Sequence, residues 1–391
     1  MSDIKKRFSR RDFMRFATGT AMTLPLLAAC ADTATEAPVE EDGGNGETGL
    51  VEGQRGGLWL APEPPEMKEI SASLDNPNFY TVVHWHLIDD YGYAAEEGFD
   101  KYEFFVSDEP FQAVIGKEIT FGQVDADYVM VAKEEGVPVV SVATHRDHEW
   151  HIQGLSPSIK TPADLKGTQA AGLGSVGTRT FEQRRSAILK WSDGEVDIAT
   201  DVEHIRVSGG SDARQAALLA DQVQIASIYT RHLKGMMEGG ASFFVSGWYE
   251  YPQEAIIVHQ DTYDSSPRTI VNFLRAYLKA LNTVRDWDMK PAIEKTMADV
   301  RDMTLTPEFE AAWVSQMEQL APGGAWRTIA MRFFLDQLQK YGVIAQGTQY
   351  SDFAKPDLLR KAQQELYGFA WPPDEQLDIF TVFDMDPNIV G

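Results

Sequence analysis

Past residue 77 the chain alternates short, continuous apolar runs with stretches of helical period, and that alternation predicts a parallel α/β architecture. Phe79-Tyr80-Thr81-Val82-Val83-His84-Trp85 is β-branched and aromatic, which predicts a strand buried on both faces. Residues 102–106, 119–122 and 137–143 continue the series as strands, with short helices over 93–98 and 111–115 between them. A second series follows. Residues 161–167 predict a turn with a short helix, 168–173 a strand, 174–177 a glycine-rich loop, and 178–191 a helix with Phe181, Ile188 and Trp191 on one face. Strands over 205–207, 223–228, 242–245 and 254–259 come next, with an alanine-rich helix over 213–220 for which Ser211 is the expected cap.

Beyond residue 259 the pattern turns helical. Ser266-Pro267 starts a helix whose stripe is Ile270, Phe273, Leu274, Tyr277, Leu281 and Val284. Thr306-Pro307 starts another, with Phe309, Trp313 and Met317 at four-residue spacing, and Met331, Phe334, Leu335 and Leu338 mark a third that stops at Gly342.

The amino-terminal 76 residues carry a different pattern. A basic start is followed by a modest apolar run, Phe16 to Leu27, too short to span a bilayer, and by small residues before Cys30. This predicts a cleavable export signal over 1–29. Arg10-Arg11 ahead of Phe13 resembles a twin-arginine signal, and Leu27-Ala28-Ala29-Cys30 resembles a bacterial lipobox, which implies lipidation of Cys30. Residues 30–76, rich in Ala, Thr, Glu, Gly and Pro, predict a flexible tether.

Composition narrows the chemistry. Cys30 is the only cysteine, so an internal disulfide, a catalytic thiolate in the mature body and a cysteine-ligated metal are all excluded. The formal net charge is −24, and it is near −28 once residues 1–29 are removed, since they hold six Lys/Arg against two Asp/Glu. So acidic a surface argues against nucleic acid and against electrostatic docking on anionic lipid.

Three stretches carry a family resemblance. Ile159-Lys160-Thr161-Pro162-Ala163-Asp164-Leu165-Lys166-Gly167 with Gly172-Leu173-Gly174-Ser175, then Ser208 through Val223, then Val271-Asn272-Phe273-Leu274-Arg275-Ala276-Tyr277 resemble the substrate-binding proteins of ABC importers for nitrate, sulfonate or taurine, and thiamine-pyrimidine precursors. Gln224-Ile225-Ala226 departs from the Asp-Ala that many such proteins place there, which leaves the ligand class open. The resemblance implies the type II periplasmic-binding-protein fold: two lobes, each a mostly parallel sheet flanked by helices, with a helical C-terminal extension. It places lobe 1 at 77–143 and 250–391, lobe 2 at 160–243, and hinge crossings at 144–159 and 244–249.

Ligand in such a fold sits at the carboxyl ends of the strands, between the lobes. His84, Trp85 and His86 would follow the first strand, so that Trp85 offers a stacking face to a ring or packs into the core instead. Phe121 and Gln123 end the third strand, Gln123 with both a donor and an acceptor to present. Gly174, Ser175, Gly177 and Thr178 form a glycine-rich turn entering a helix, which suits a polar or anionic group, although Ser175 or Thr178 could simply cap that helix. It is not a nucleotide-binding loop, because no Gly-Lys-Ser/Thr follows. Tyr229 and Trp248, with Tyr249 and Tyr251, either line the pocket or pad the hinge. His145, His148 and His151 would alternate faces on an extended crossing, so no metal site is expected.

The expectation is therefore a lipid-anchored, extracytoplasmic solute-binding protein of an ABC importer, monomeric, without cofactor or metal. It would hold one small oxyanion-bearing or heteroaromatic molecule and deliver it to a permease in the membrane. A ligand-sensing accessory domain uses the same fold. A pyrimidine-synthase-like enzyme would need a reactive lysine, a metal site and a cysteine-rich motif, and this chain supplies no such cysteines.

Overall fold

The computed structural model describes residues 50–52, 58–75, 78–107, 109–174, 179–207 and 210–307. It continues to 370 with short gaps between 308 and 327 and at 341 and 369. The export signal, Cys30, most of the tether and the turn 175–178 lie outside the described residues. A small hairpin, β1 (Leu50–Glu52) with β2 (Leu58–Leu60), precedes the main sheet.

The first strand of the main sheet is β3 (Glu69–Leu74). It lies within the stretch expected to be tether, yet Ala72 and Ser73 are fully buried and the strand runs parallel between two neighbours. The expected strand at 79–85 is instead the start of helix α1 (Phe79–Asp90), so His84, Trp85 and His86 stand on a helix. Asn78 caps it, its side chain accepting from the Thr81 N–H at 3.2 Å. Every residue from Phe79 to Trp85 is buried, so the first two turns have no solvent-facing side and their sequence shows no helical period. The series continues with α2 (Tyr93–Glu96), β4 (Lys101–Val106), α3 (Pro110–Ile115), β5 (Phe121–Asp125) and α4 (Ala126–Glu134).

The crossings are single long strands. β6 (Val139–Leu155) leads to β7 (Thr168–Ala171), α5 (Arg179–Trp191), β8 (Val202–Ile205), α6 (Gly210–Leu219), β9 (Ile225–Ile228) and α7 (Leu233–Glu238), and β10 (Ser242–His259) returns. β6 and β10 pair antiparallel along their whole length, from Val139 with His259 to Leu155 with Ser242. The sheet order is β4-β3-β5-β10-β6-β9-β7-β8. Parallel strands β4, β3 and β5 thus form one half and β9, β7 and β8 the other, with the two crossing strands shared between them. Register shifts at Val245/Gly247 and between Glu250 and Ala255 fall midway along β10, where bulges let a sheet bend.

Each half has its own core. In the first, α9 (Pro267–Arg285), following α8 (Gln260–Ser265), is buried almost throughout; its Phe273 ring stacks on Phe121 at 3.6 Å. Helices α10 (Lys290–Arg301), α11 (Thr328–Lys340) and α12 (Asp357–Tyr367) complete that half. In the second half, Leu155, Leu165, Phe181, Ile188 and Phe244 fill one face of the sheet, and Ile152, Leu218, Ala226, Ile228 and Met236 fill the other. Among the described residues no helix is long and apolar enough to cross a membrane.

Candidate functional site

A buried polar chain begins on α1. The Trp85 indole N–H donates to Gln123 Oε1 at 2.7 Å, and the Gln123 amide donates to Glu254 Oε2 at 2.8 Å. Glu254 stands on β10 directly opposite Arg146 of β6. The Arg146 Nε is 3.6 Å from the same carboxylate oxygen and His145 Nε2 is 3.7 Å from it. His145 Nδ1 in turn bonds the Tyr277 hydroxyl at 2.9 Å, and the His84 ring stacks on His145 with centroids 4.4 Å apart. Burial pushes both imidazoles well below their usual pKa, aided by repulsion from Arg146. Neutral rings leave Arg146 as the cation that answers Glu254.

A second cluster sits at the carboxyl end of β9. Arg231 is 8% exposed, donates from Nη2 to Ser211 Oγ, and lies 4.8 Å over the Tyr229 ring. Its Nε is 3.7 Å from Asp212 Oδ1. The Tyr229 N–H donates to His232 Nδ1 at 3.0 Å, so the other ring nitrogen carries the proton and donates to Asp212 Oδ1 at 2.7 Å. His232 is therefore pinned, and burial with the nearby Arg231 charge holds it down to about 4. Its lone pair is occupied by a backbone donor, so it cannot act as base for Ser211 despite the Ser-His-Asp composition.

The two clusters influence each other electrostatically. Burial lowers the pKa of Arg231, and the like charge of Arg146 adds to that; Arg231 in turn acts on the Tyr80 hydroxyl of α1. Two buried guanidinium groups, Arg146 on the crossing strand β6 and Arg231 just past β9, thus lie within electrostatic reach of each other, each beside a carboxylate. Such an arrangement suits an oxyanion, which accepts charge-assisted hydrogen bonds from both.

The structure redistributes the residues expected from sequence. His84 is in the first cluster, but as a fully buried ring on a helix. Trp85 has no free stacking face: Phe104 lies on one contact at 5.6 Å and Phe273 on another at 5.9 Å, and its indole serves to hold Gln123. Phe121 is core, its ring covered by Phe273. Gln123 links the indole to Glu254, and Tyr229 carries Arg231. Gly174 is exposed with φ +86°, while Ser175, Gly177 and Thr178 lie outside the described residues. Trp248 pairs with Trp150 through its backbone, and its side chain is likewise outside the description. Ser211 lies inside α6 rather than ahead of it.

Arg146, Arg231, Glu254 and Tyr277 were not anticipated. A visible signal was there: Arg146 and Arg231 each fall three residues past a β-rich apolar run, Val139–Ala143 and Ile225–Ile228. Among the described residues no group of three His, Cys, Asp or Glu is placed to hold a metal ion. A concavity of about 570 Å3 lies elsewhere, around Asp164, Gln169, Glu203 and Asp221 at the amino ends of β7 and β8. That is the wrong end of a parallel sheet for a ligand.

Acid should destabilise this protein. His86 and His232 are each held at about 4, mainly by burial, whereas an unfolded histidine titrates near 6.5. Below pH 6.5 the unfolded chain takes up protons that the folded chain refuses, so stability present above pH 6.5 is lost as pH falls. At pH 5 the loss is about 2 kcal/mol for each ring. Urea unfolding at pH 7 and pH 5 should show it, with His86→Gln recovering about one ring's share; equal loss in that variant would contradict the assignment.

Comparison with known proteins places this geometry. A family model described as NMT1/THI5 like matches residues 90–286. Among curated proteins no sequence matches the chain. The periplasmic nitrate-binding protein NrtA from Synechocystis PCC 6803 superposes with TM-score 0.55 at 13% identity, over 78% of this chain and 90% of that one. The alkanesulfonate-binding protein SsuA from Xanthomonas axonopodis pv. citri, bound to MOPS, gives 0.52 at 13% identity, over 74% and 99%. A mutant of DSZB in complex with biphenyl-2-sulfinic acid gives 0.54 at 11% identity, over 76% and 99%; DSZB is a desulfurization enzyme. At these identities the likeness shows the fold, which is the two-lobed type II periplasmic-binding fold.

Proposed function

Because this chain belongs to the NMT1/THI5-like family, we propose that it is an extracytoplasmic solute-binding protein of an ABC importer. Its solute is a small oxyanion-bearing molecule, such as a sulfonate, held between the two halves of the sheet. The observation that carries this reading is a pair of buried arginines, Arg146 on the crossing strand β6 and Arg231 past β9, each beside a carboxylate (Glu254 and Asp212) and within electrostatic reach of the other. Solute bridging both arginines stabilises the closed arrangement over the open one, and the closed form is what a permease can distinguish. Structural neighbours that bind nitrate and alkanesulfonate support an oxyanion.

DSZB, an enzyme on the same fold, poses the competing class. Against it stand the single cysteine at position 30 and the engaged lone pair of His232, which leaves Ser211 without a base. Incubation of the purified protein with an alkanesulfonate should return it unchanged. Release of sulfite or any other product would overturn the assignment.

Lipid anchoring on Cys30 after twin-arginine export belongs to the same proposal. Cys30→Ala should release folded protein from membranes into the soluble fraction, since no described helix can hold it there. Retention on salt-washed membranes would contradict anchoring at that residue.

A further inference from the structure

A hollow of about 440 Å3 opens at the carboxyl ends of β7 and β8, lined by Gly172, Gly174, His204, Arg206 and Arg214. It is built around one guanidinium. Arg214, in the second turn of α6, lies directly on Gly172, where an added Cβ would come within 2.5 Å of Arg214 Nε and 2.9 Å of Cζ. Gly172 also has φ +67°, so both space and backbone require glycine there. The Arg214 Nε donates to the Ser227 carbonyl at 2.9 Å, which fixes the side chain. Among the described residues its two terminal nitrogens have no partner, and Arg206, exposed at the rim, makes neither hydrogen bond nor ion pair.

Two unanswered cations around a hollow stand out in a chain of net charge −24. The hollow also adjoins the crevice. α6 presents Ser211 and Asp212 to Arg231 and His232 from its first turn and Arg214 to the hollow from its next. The Arg214 charge is felt at His232, and β7 neighbours β9 with the same strand direction. Carboxyl ends of both strands therefore open on the same side.

We propose that this hollow is a second anion subsite of the crevice, so that the preferred solute carries two acidic groups, one between Arg146 and Arg231 and the other at Arg206 and Arg214. The inference rests on the oxyanion reading given above. It assigns a solute class narrower than a simple sulfonate: a short molecule with an acidic group at each end.

Calorimetric titration of the purified protein with ethanesulfonate and with 3-sulfopropanoate tests this, since the second adds only a terminal carboxylate. 3-Sulfopropanoate should bind about tenfold to a hundredfold more tightly, the value of one charge-assisted hydrogen-bonded contact. R206M and R214M should each bring that ratio toward one. Arg206 is exposed and unpartnered, so R206M tests the subsite even if R214M melts at a lower temperature. Equal affinity for the two probes, or an undiminished ratio in both variants, would overturn the second subsite while leaving the first intact. Failure of both probes to bind would overturn the oxyanion reading, and the second subsite with it.

Discussion

Arg231→Met should weaken binding of a small sulfonate by about 2–5 kcal/mol, the usual cost of truncating one partner of a buried charge-assisted contact. At 1.4 kcal/mol per decade this is roughly thirtyfold to a few thousandfold in Kd. The residue is nearly buried, so the loss is not screened away as it would be for a surface arginine. It is also held in advance by Ser211, Asp212 and the Tyr229 ring, so little ordering is required when solute arrives. Arg231→Lys should be intermediate, because an ammonium keeps the charge but lacks the planar fork that lets one nitrogen bond Ser211 while the others face an oxyanion. Titration calorimetry on the three proteins checks this order. Full affinity in Arg231→Met would remove the second half of the sheet from the site.

The largest stability effect is expected far from the crevice. Arg275 and Glu97 are both wholly buried and paired at 2.5 Å, with Lys279 on the same glutamate at 2.7 Å and Glu365 on Arg275 at 3.1 Å. Arg275 also donates to the Leu60 carbonyl at 2.7 Å, and Asn272 donates to the Glu63 carbonyl at 2.8 Å. Glu66 accepts from the Arg268 and Thr269 backbone at 3.0 and 2.7 Å. This network binds residues 60–67 to α9, so the path from the tether into the first half is rigidly attached. Removing one partner leaves buried charge uncompensated, and Arg275→Met should cost about 3–5 kcal/mol in urea unfolding. Lys295→Ala, which breaks an exposed pair with Asp299 on α10, should cost no more than about 0.5 kcal/mol. Similar effects from the two variants would contradict the network's role.

Much of the architecture was legible because most elements obey one clear period. The stripe on α9 and the face of α5 appear in the chain as they do in the fold, as do the short strands β4, β7 and β9. α1 was not legible for a physical reason. It is enclosed by the sheet side, α9 and Trp313, so its first seven residues are buried without interruption, and a β-rich run with no exposed face reads equally as a buried strand. Asn78 before that run was the informative residue, since asparagine caps helices and is uncommon in strands. β3 hid for the opposite reason: Ser71 and Ser73 make it look like tether, yet they sit inside the sheet.

The candidate site was legible only in part. Gln123 and Tyr229 follow from the rule that ligands lie at the carboxyl ends of strands. The arginines did not follow from it, because Arg146 and Glu254 acquire meaning only when β6 and β10 are set side by side in register. His145, for which no metal role is expected, bonds Tyr277 through its ring and stacks on His84. A charge a few residues past a buried apolar run would have been the better signal, since such a charge must be paired or put to use.

The central claim is that two arginines, one on the crossing strand β6 and one just past β9, close on a single small anion. Calorimetric titration of the purified protein with ethanesulfonate, repeated with Arg146→Met, tests both halves of that claim. The account predicts one anion bound per chain, with affinity lost in Arg146→Met about as severely as in Arg231→Met. Binding that survives in Arg146→Met, or a preference for ethylammonium over ethanesulfonate, would contradict it.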